Sequence, residues 1–252
     1  MTDAKERWEY YGENDPYFAV STFDKFKAAN LNEAGRNEFF SSGTVHVQRI
    51  RTEIQEHFES DFHPKSAIDF GCGVGRMVIP LAGWAEEVMG VDISEKMLAE
   101  ARRNCEARAI DNVKFVQTDA FMAAEGLQFD LIHSVIVFQH IDPAIGMNIV
   151  KRLVGSLVDG GIGVLHFTYA GDAEEIGSFN FRIYRDYPFI HKLRNLVLGG
   201  AGEPLIPMYQ YDLNKVFKLL HEMDCHRCFV RFTHHGTYGA MIFFQKRAEP
   251  LF

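Results

Sequence analysis

The chain has 252 residues, 47% of them hydrophobic and 24% charged, with a formal net charge of −8. That is one domain's length, enough to bury roughly 70–75% of its unfolded surface, and no apolar run approaches the roughly 20 residues that span a bilayer. With no long Lys/Arg run to neutralise phosphates, the acidic balance argues against a nucleic-acid partner.

The opening residues, MTDAKERWEY, lack the apolar core of a signal peptide, which predicts a cytoplasmic protein. Four cysteines (Cys72, Cys105, Cys225, Cys228) are too few and too scattered for a disulfide scaffold. Residues 1–44 are aromatic-rich, with WEYYGENDPYF over 8–18, and read as a cap. Residues 42–59 carry Val45, Ile50, Ile54 and Phe58 at near-helical spacing, predicting a helix against a sheet.

From residue 66 apolar runs alternate with helical patterns. SAIDF (66–70) reads as a strand, VGRMVIPLAGWA (74–85) as a helix, EVMGVD (87–92) as a strand and SEKMLAEARRNCEARA (94–109) as a helix. NVKFVQTD (112–119) and FDLIHSVIVF (129–138) read as strands, then a helix over 143–158 and a fifth strand, GIGVLHFTY (161–169). This alternation means right-handed crossovers and a parallel sheet covered on both faces. Residues 170–210 form a long insertion whose aromatics (Phe179, Phe181, Tyr184, Tyr187, Phe189, Tyr209, and Tyr211 just beyond) divide between substrate pocket, dimer contact and core. Residues 211–252 close the single domain with a helix at 212–223 and two strands, CFVRFT and GAMIFFQK.

The stretch AIDFGCGVGRM (67–77) carries the chemistry. A glycine-rich turn between a parallel strand and a helix lets backbone N–H groups approach a ligand at the positive end of the helix dipole. Gly71, Gly73 and Gly75 form G-x-G-x-G, with Arg76 where a dinucleotide fingerprint has its third glycine. Asp69 before the turn would repel a phosphate and attract an ammonium group. The turn therefore reads as a seat for a small, amino-acid-bearing cation. Asp92 ends the next strand, 17 residues after Gly75, where a carboxylate takes both hydroxyls of a ribose. Ser94 is a candidate helix N-cap, Met97 a candidate adenine-packing residue, and Asp119 a candidate acceptor for an adenine amino group.

The series IDFGCGVGR, VDIS, TDA and FDLIHSVIVFQHI, over roughly residues 45–170, resembles the class I (seven-strand) S-adenosylmethionine-dependent methyltransferases. The resemblance implies a Rossmann-like α/β/α sandwich with sheet order 3-2-1-4-5-7-6 and strand 7 antiparallel. It implies a cofactor-binding core over 45–169, with Asp69, Gly71, Cys72, Gly73, Gly75 and Arg76 around the methionine moiety, and Asp92 with Ile93 and Met97 at the ribose and adenine. Thr118, Asp119 and Ala120 would meet the adenine; Ser134, Val135 and Gln139 would line the sulfonium side. By the same resemblance the cap closes the site through Tyr11, Tyr17 and Phe18, beside Tyr10.

A hydroxyl acceptor needs its proton removed or its oxygen oriented, and His140 in FQHI is the best-placed group for either. His133 and His166, inside strands, read as core histidines. No NPPY-type tetrapeptide follows the fourth strand. With the acidic charge and the aromatic insertion, that leads to a small organic acceptor, most naturally a hydroxyl on a metabolite, sugar or lipid-like compound. The enzyme is expected to be a monomer or homodimer without a membrane partner. Rivals are a nicotinamide-dependent oxidoreductase, which Arg76 disfavours, a non-catalytic cofactor-binding or scaffold subunit, and a cofactor-dependent cyclase or decarboxylase. HEMDCHRC (221–228), with His234 and His235, offers zinc-type ligands but not two clear pairs, so no metal is expected.

Overall fold

A computed structural model describes residues 2–171, 204 and 206–247. Helices α1 (Thr2–Asn14), α2 (Pro16–Val20) and α3 (Glu33–His57) precede strand β1 (Ser66–Phe70). Then follow α4 (Val78–Ala82), β2 (Glu87–Asp92), α5 (Glu95–Glu106), β3 (Val113–Gln117), α6 (Thr118–Ala123) and β4 (Phe129–Ser134). After a 3-10 turn at Phe138–His140 come α7 (Pro143–Gly155), β5 (Leu157–Gly171), α8 (Leu213–Glu222), β6 (Arg227–His234) and β7 (Thr237–Gln245).

The seven strands lie in the order β3-β2-β1-β4-β5-β7-β6. The first five pair in parallel, and β7 runs antiparallel between β5 and β6. The order is the one the resemblance implied. Parallel strands buried on both faces read as near-continuous apolar runs, which is why β1 and β2 match their expected bounds residue for residue. One face packs against α7 and α8 through Phe138, Leu153, Phe167 and Leu220. The other packs against α3 and α4 through Val47, Ile54, Leu81 and Phe243. A third apolar cluster, with Tyr11, Tyr17, Phe39 and Met97, sits under the cap. Helix starts follow local chemistry: Asn32, Ser94, Asp142 and Asp212 each accept a backbone N–H of the helix they open, and Pro143 occupies the first turn of α7.

Several elements differ from expectation. The helix expected over 74–85 shrinks to α4, because Gly75 takes φ +86° and the chain stays in a turn until Val78. Strand β4 ends at Ser134; Ile136 adopts φ +58°, which breaks the apparent strand despite three consecutive β-branched residues. Thr118 and Asp119 open helix α6 instead of ending β3. The expected cap–core boundary at 44/45 falls inside α3, which starts at Glu33. Of the insertion, Phe179, Phe181, Tyr184, Tyr187 and Phe189 lie outside the described residues. No helix among the described residues is long and apolar enough to cross a membrane.

Candidate active site

The turn after β1 is built so that backbone can lie where a side chain would stand. Gly71 has φ +76°, and a Cβ there would lie 2.4 Å from Val137; Gly73 has φ +52°, and a Cβ would lie 2.7 Å from Val20 of the cap. Four N–H groups of the turn, however, are bonded within the protein. Those of Gly71 and Cys72 donate to the Val91 carbonyl at 2.7 and 2.9 Å, that of Gly75 to the Cys72 carbonyl, and that of Gly73 to Asp92 Oδ2 at 2.9 Å. The expectation of free amides at a helix dipole is thus corrected. With the helix starting only at Val78 and those four donors spent, it is a slot for close approach and a poor phosphate cradle.

Asp92, at the C-terminal end of β2, has its two oxygens oriented by backbone: Oδ1 accepts from Ser94 N–H and Oδ2 from Gly73 N–H, both at 2.9 Å. Burial lifts its carboxyl to about 6 against those stabilising hydrogen bonds. Asp69 is buried at the end of β1 and accepts from His133 Nδ1 at 2.7 Å. Arg76 bonds the Ser42 hydroxyl, while its buried Nε has no hydrogen-bond partner among the described residues. Burial lowers the Arg76 pKa, and the charge of Asp69 opposes that shift.

Asp119 and Ala120 are exposed at the start of α6, with Thr118 buried beneath them; Ile93 is half-buried next to Asp92. Ser134 donates to the Phe70 carbonyl, tying the ends of β1 and β4 together, and Val135 is half-buried beyond it. Met97 is 1% exposed within the cap cluster. Cys72 is buried and its thiol pushed well up, first by burial and then by Asp92 and Asp69.

The cap lies over this edge of the sheet. Glu9 of α1 accepts from the backbone N–H groups of Glu95 and Lys96 and from the Ser94 hydroxyl, 2.9–3.1 Å, at the start of α5. One residue earlier, Trp8 packs edge-on against His140, ring centroids 5.5 Å apart. Tyr11 donates to the Pro204 carbonyl, and Phe18 is half-buried under the Lys27 ammonium. Tyr17 is buried: its hydroxyl donates to Glu100 at 2.6 Å and accepts from Arg36, which makes it a structural post of the cap. Tyr211 is 2% exposed, its hydroxyl donates to the Ile141 carbonyl, and it packs on Phe138 and Phe167; it belongs to the core. For both tyrosines the packing side of the expectation is the one their burial and hydrogen bonds fit. Tyr209 is half-buried, and its N–H donates to the Gln139 carbonyl.

His140 is fixed on both sides. Its Nδ1–H donates to the Pro207 carbonyl at 3.0 Å, and Nε2 accepts from the Gln139 amide at 3.1 Å. Burial pushes it down to about 4, so it is a neutral imidazole. Gln139 Oε1 in turn accepts from Thr168 and His235, each at 3.0 Å. His166 bonds Thr233 at 2.8 Å inside the sheet, as a core histidine does. Beside this network Ile136 keeps the left-handed conformation noted above, an uncommon state for a β-branched residue and the kind of strain that collects at functional loops. Sequence reasoning missed Trp8 and Glu9, although Trp8 and Tyr11 stand three apart on one helix face. It also missed His46, His133 and His235 as members of the site's surroundings. Their partners are far away in the chain.

Residues 67–161 match the family described as a methyltransferase domain. A ubiquinone biosynthesis O-methyltransferase of Roseobacter denitrificans is 31% identical over 130 residues, 48% of this chain and 52% of that protein. A 23S rRNA (uracil(1939)-C(5))-methyltransferase of Marinomonas is 42% identical over 52 residues, 21% of this chain and 12% of that protein. The chain spans at most about half the length of these curated relatives. Among solved structures, magnesium protoporphyrin IX methyltransferase from Synechocystis PCC 6803 with bound SAH superposes with a TM-score of 0.58 at 20% identity, covering 92% of this chain and 97% of that one. That likeness is one of fold. The methyltransferase-domain match, over 67–161, thus runs from β1 to the start of β5 in a sheet of order 3-2-1-4-5-7-6 with an antiparallel β7.

Proposed function

We propose that the protein binds S-adenosylmethionine and transfers its methyl group to a small organic acceptor, at a hydroxyl oxygen. The observation that carries this reading is the row of carboxylates at the C-terminal ends of consecutive strands: Asp69 next to last in β1 and Asp92 last in β2, with Asp119 just past β3, around a turn that admits backbone only. Asp69 suits an ammonium group, Asp92 a ribose diol, and Asp119 an adenine amino group. The unpartnered buried Nε of Arg76 fits the carboxylate of an amino acid. When bound, S-adenosylmethionine supplies an electrophilic methyl carbon on a sulfonium that departs as a neutral thioether.

The chain's own residues would hold and shield. Trp8 and Tyr11 keep water from the strand ends, and alignment of the acceptor accounts for most of the rate. A base whose conjugate acid ionises near 4 gains little by taking a hydroxyl proton, so His140 suits orientation of the acceptor better than deprotonation. The hydroxyl acceptor is supported by the name of the Roseobacter relative, an O-methyltransferase, and by the net charge of −8, which opposes an RNA backbone. Isothermal titration with S-adenosylmethionine and S-adenosylhomocysteine tests the core of the reading. Micromolar binding is expected, and its loss in folded Asp92→Ala; a folded wild-type chain with no affinity for either ligand sinks it.

A further inference from the structure

His133 and Asp69 are Cα partners in the parallel β4–β1 ladder, and partners across such a pair point to the same face of the sheet. Both are buried, His133 completely. The ring donates through Nδ1 to Asp69 Oδ1 at 2.7 Å, which fixes its tautomer on that side. Its other nitrogen meets His46 Nε2, from α3, at 3.1 Å, and the two rings pack edge to face. Burial, then His133, Arg76, Arg49 and His166, pushes His46 down to about 2, so its ring stays neutral. A carboxylate is otherwise free to turn about χ2, where the torsional wells are broad. Here one oxygen is taken, and no hydrogen bond among the described residues reaches the other.

We propose, on the S-adenosylmethionine reading of the site, that His133 is a positioning residue for the amino-acid end of the ligand. It holds Asp69 by Oδ1 and so keeps Oδ2 turned to an ammonium group at the glycine turn, while His46 locks the ring from behind.

The role is read by comparing two ligands on the full chain by isothermal titration. S-adenosylhomocysteine carries the amino-acid end; 5′-methylthioadenosine keeps the adenosine and thioether and lacks it. In His133→Gln the side-chain amide reaches toward His46 and offers Asp69 nothing, whereas in His133→Asn an amide N–H stands where Nδ1–H stood. The Gln variant is expected to weaken S-adenosylhomocysteine about tenfold, the scale of a hydrogen bond to a charged group, and to leave 5′-methylthioadenosine within about twofold. The Asn variant restores most of the loss. Should the Gln variant not fold, His46→Phe, at a half-buried position, reads the same split through the unlocked ring, with a loss of several-fold on the amino-acid-bearing ligand only. A loss shared equally by both ligands, or no loss with either, overturns the positioning role and leaves the cofactor reading standing. Failure of the folded wild-type chain to bind either ligand overturns the cofactor reading, and the positioning role with it.

Discussion

Asp92 sits between two opposing demands. Burial lifts its carboxyl to about 6, although the N–H groups of Ser94, Gly73 and Ile93 favour the ionised form. A folded pKa above the unfolded one means that the group's contribution to stability is full below the unfolded value and is lost as pH rises through about 6. The penalty in the ligand-free protein at neutral pH is at most about 3 kcal/mol. A ribose reverses the sign, because its two hydroxyls are accepted more strongly, and by both oxygens, only by the ionised carboxylate. Affinity for 5′-methylthioadenosine is therefore expected to be complete above about pH 6 and to fall toward tenfold per pH unit below it. Titration from about pH 8 down to about pH 5 measures this. The slope should vanish in Asp92→Asn, and a flat wild-type profile would remove Asp92 from the ribose. His140 and His46, at about 4 and about 2, stay neutral throughout that window.

At the scale of elements, α1 is held by one carboxylate on the end of another helix. Burial disfavours the Glu9 charge, but the backbone N–H groups of Glu95 and Lys96, the Ser94 hydroxyl and Lys5 outweigh that and leave its pKa below the usual carboxylate value. A depressed pKa means that this docking contributes above the unfolded value and is lost as pH falls through the folded one. Glu9 thus does from outside what an N-cap does from within, and Glu9→Gln is expected to cost about 1 kcal/mol of docking. Hydrogen exchange checks it: amides of α1 and of Ser94–Met97 should exchange faster in the variant while β1 and β4 do not change. Unchanged exchange would mean that the aromatic cluster alone holds the cap. The strands were legible in the sequence because burial on both faces writes itself as continuous apolar runs, and Asp69 and Asp92 because they end two of those runs. Glu9, His46 and His133 were not, since a local pattern carries no information about partners 64 to 87 positions away. The overlong α4 failed for another reason: a glycine with positive φ stops a helix that its apolar spacing would continue.

At the scale of the whole molecule, the chain's start is fastened to its end. Arg231 of β6 reaches across 178 positions to Glu53 of α3, which is 4% exposed. Arg227 donates to the carbonyls of His57 and Phe58, so β6 caps the end of α3, and the His57 ring stacks on Phe229 with centroids 3.8 Å apart. Glu53, Glu56 and His57 also bring ligand-type atoms together, but the guanidinium already neutralises the one buried carboxylate, so Glu53 and His57 work as a clasp. Removing the cation leaves the buried Glu53 with only the His57 ring, 3.3 Å from an Oε2 that has no hydrogen-bond partner, beside it. Arg231→Met is expected to cost about 3 kcal/mol, the low end for a broken buried pair because the arginine is half exposed. In a chain of this length that lowers Tm by several degrees. Pairing it with Glu53→Leu should recover most of the loss, because apolar packing often replaces such a pair at no net cost. Thermal denaturation of the two variants decides the point. If the single variant melts with the wild type, the clasp is a surface contact and α3 is held to the closing strands by its apolar face alone.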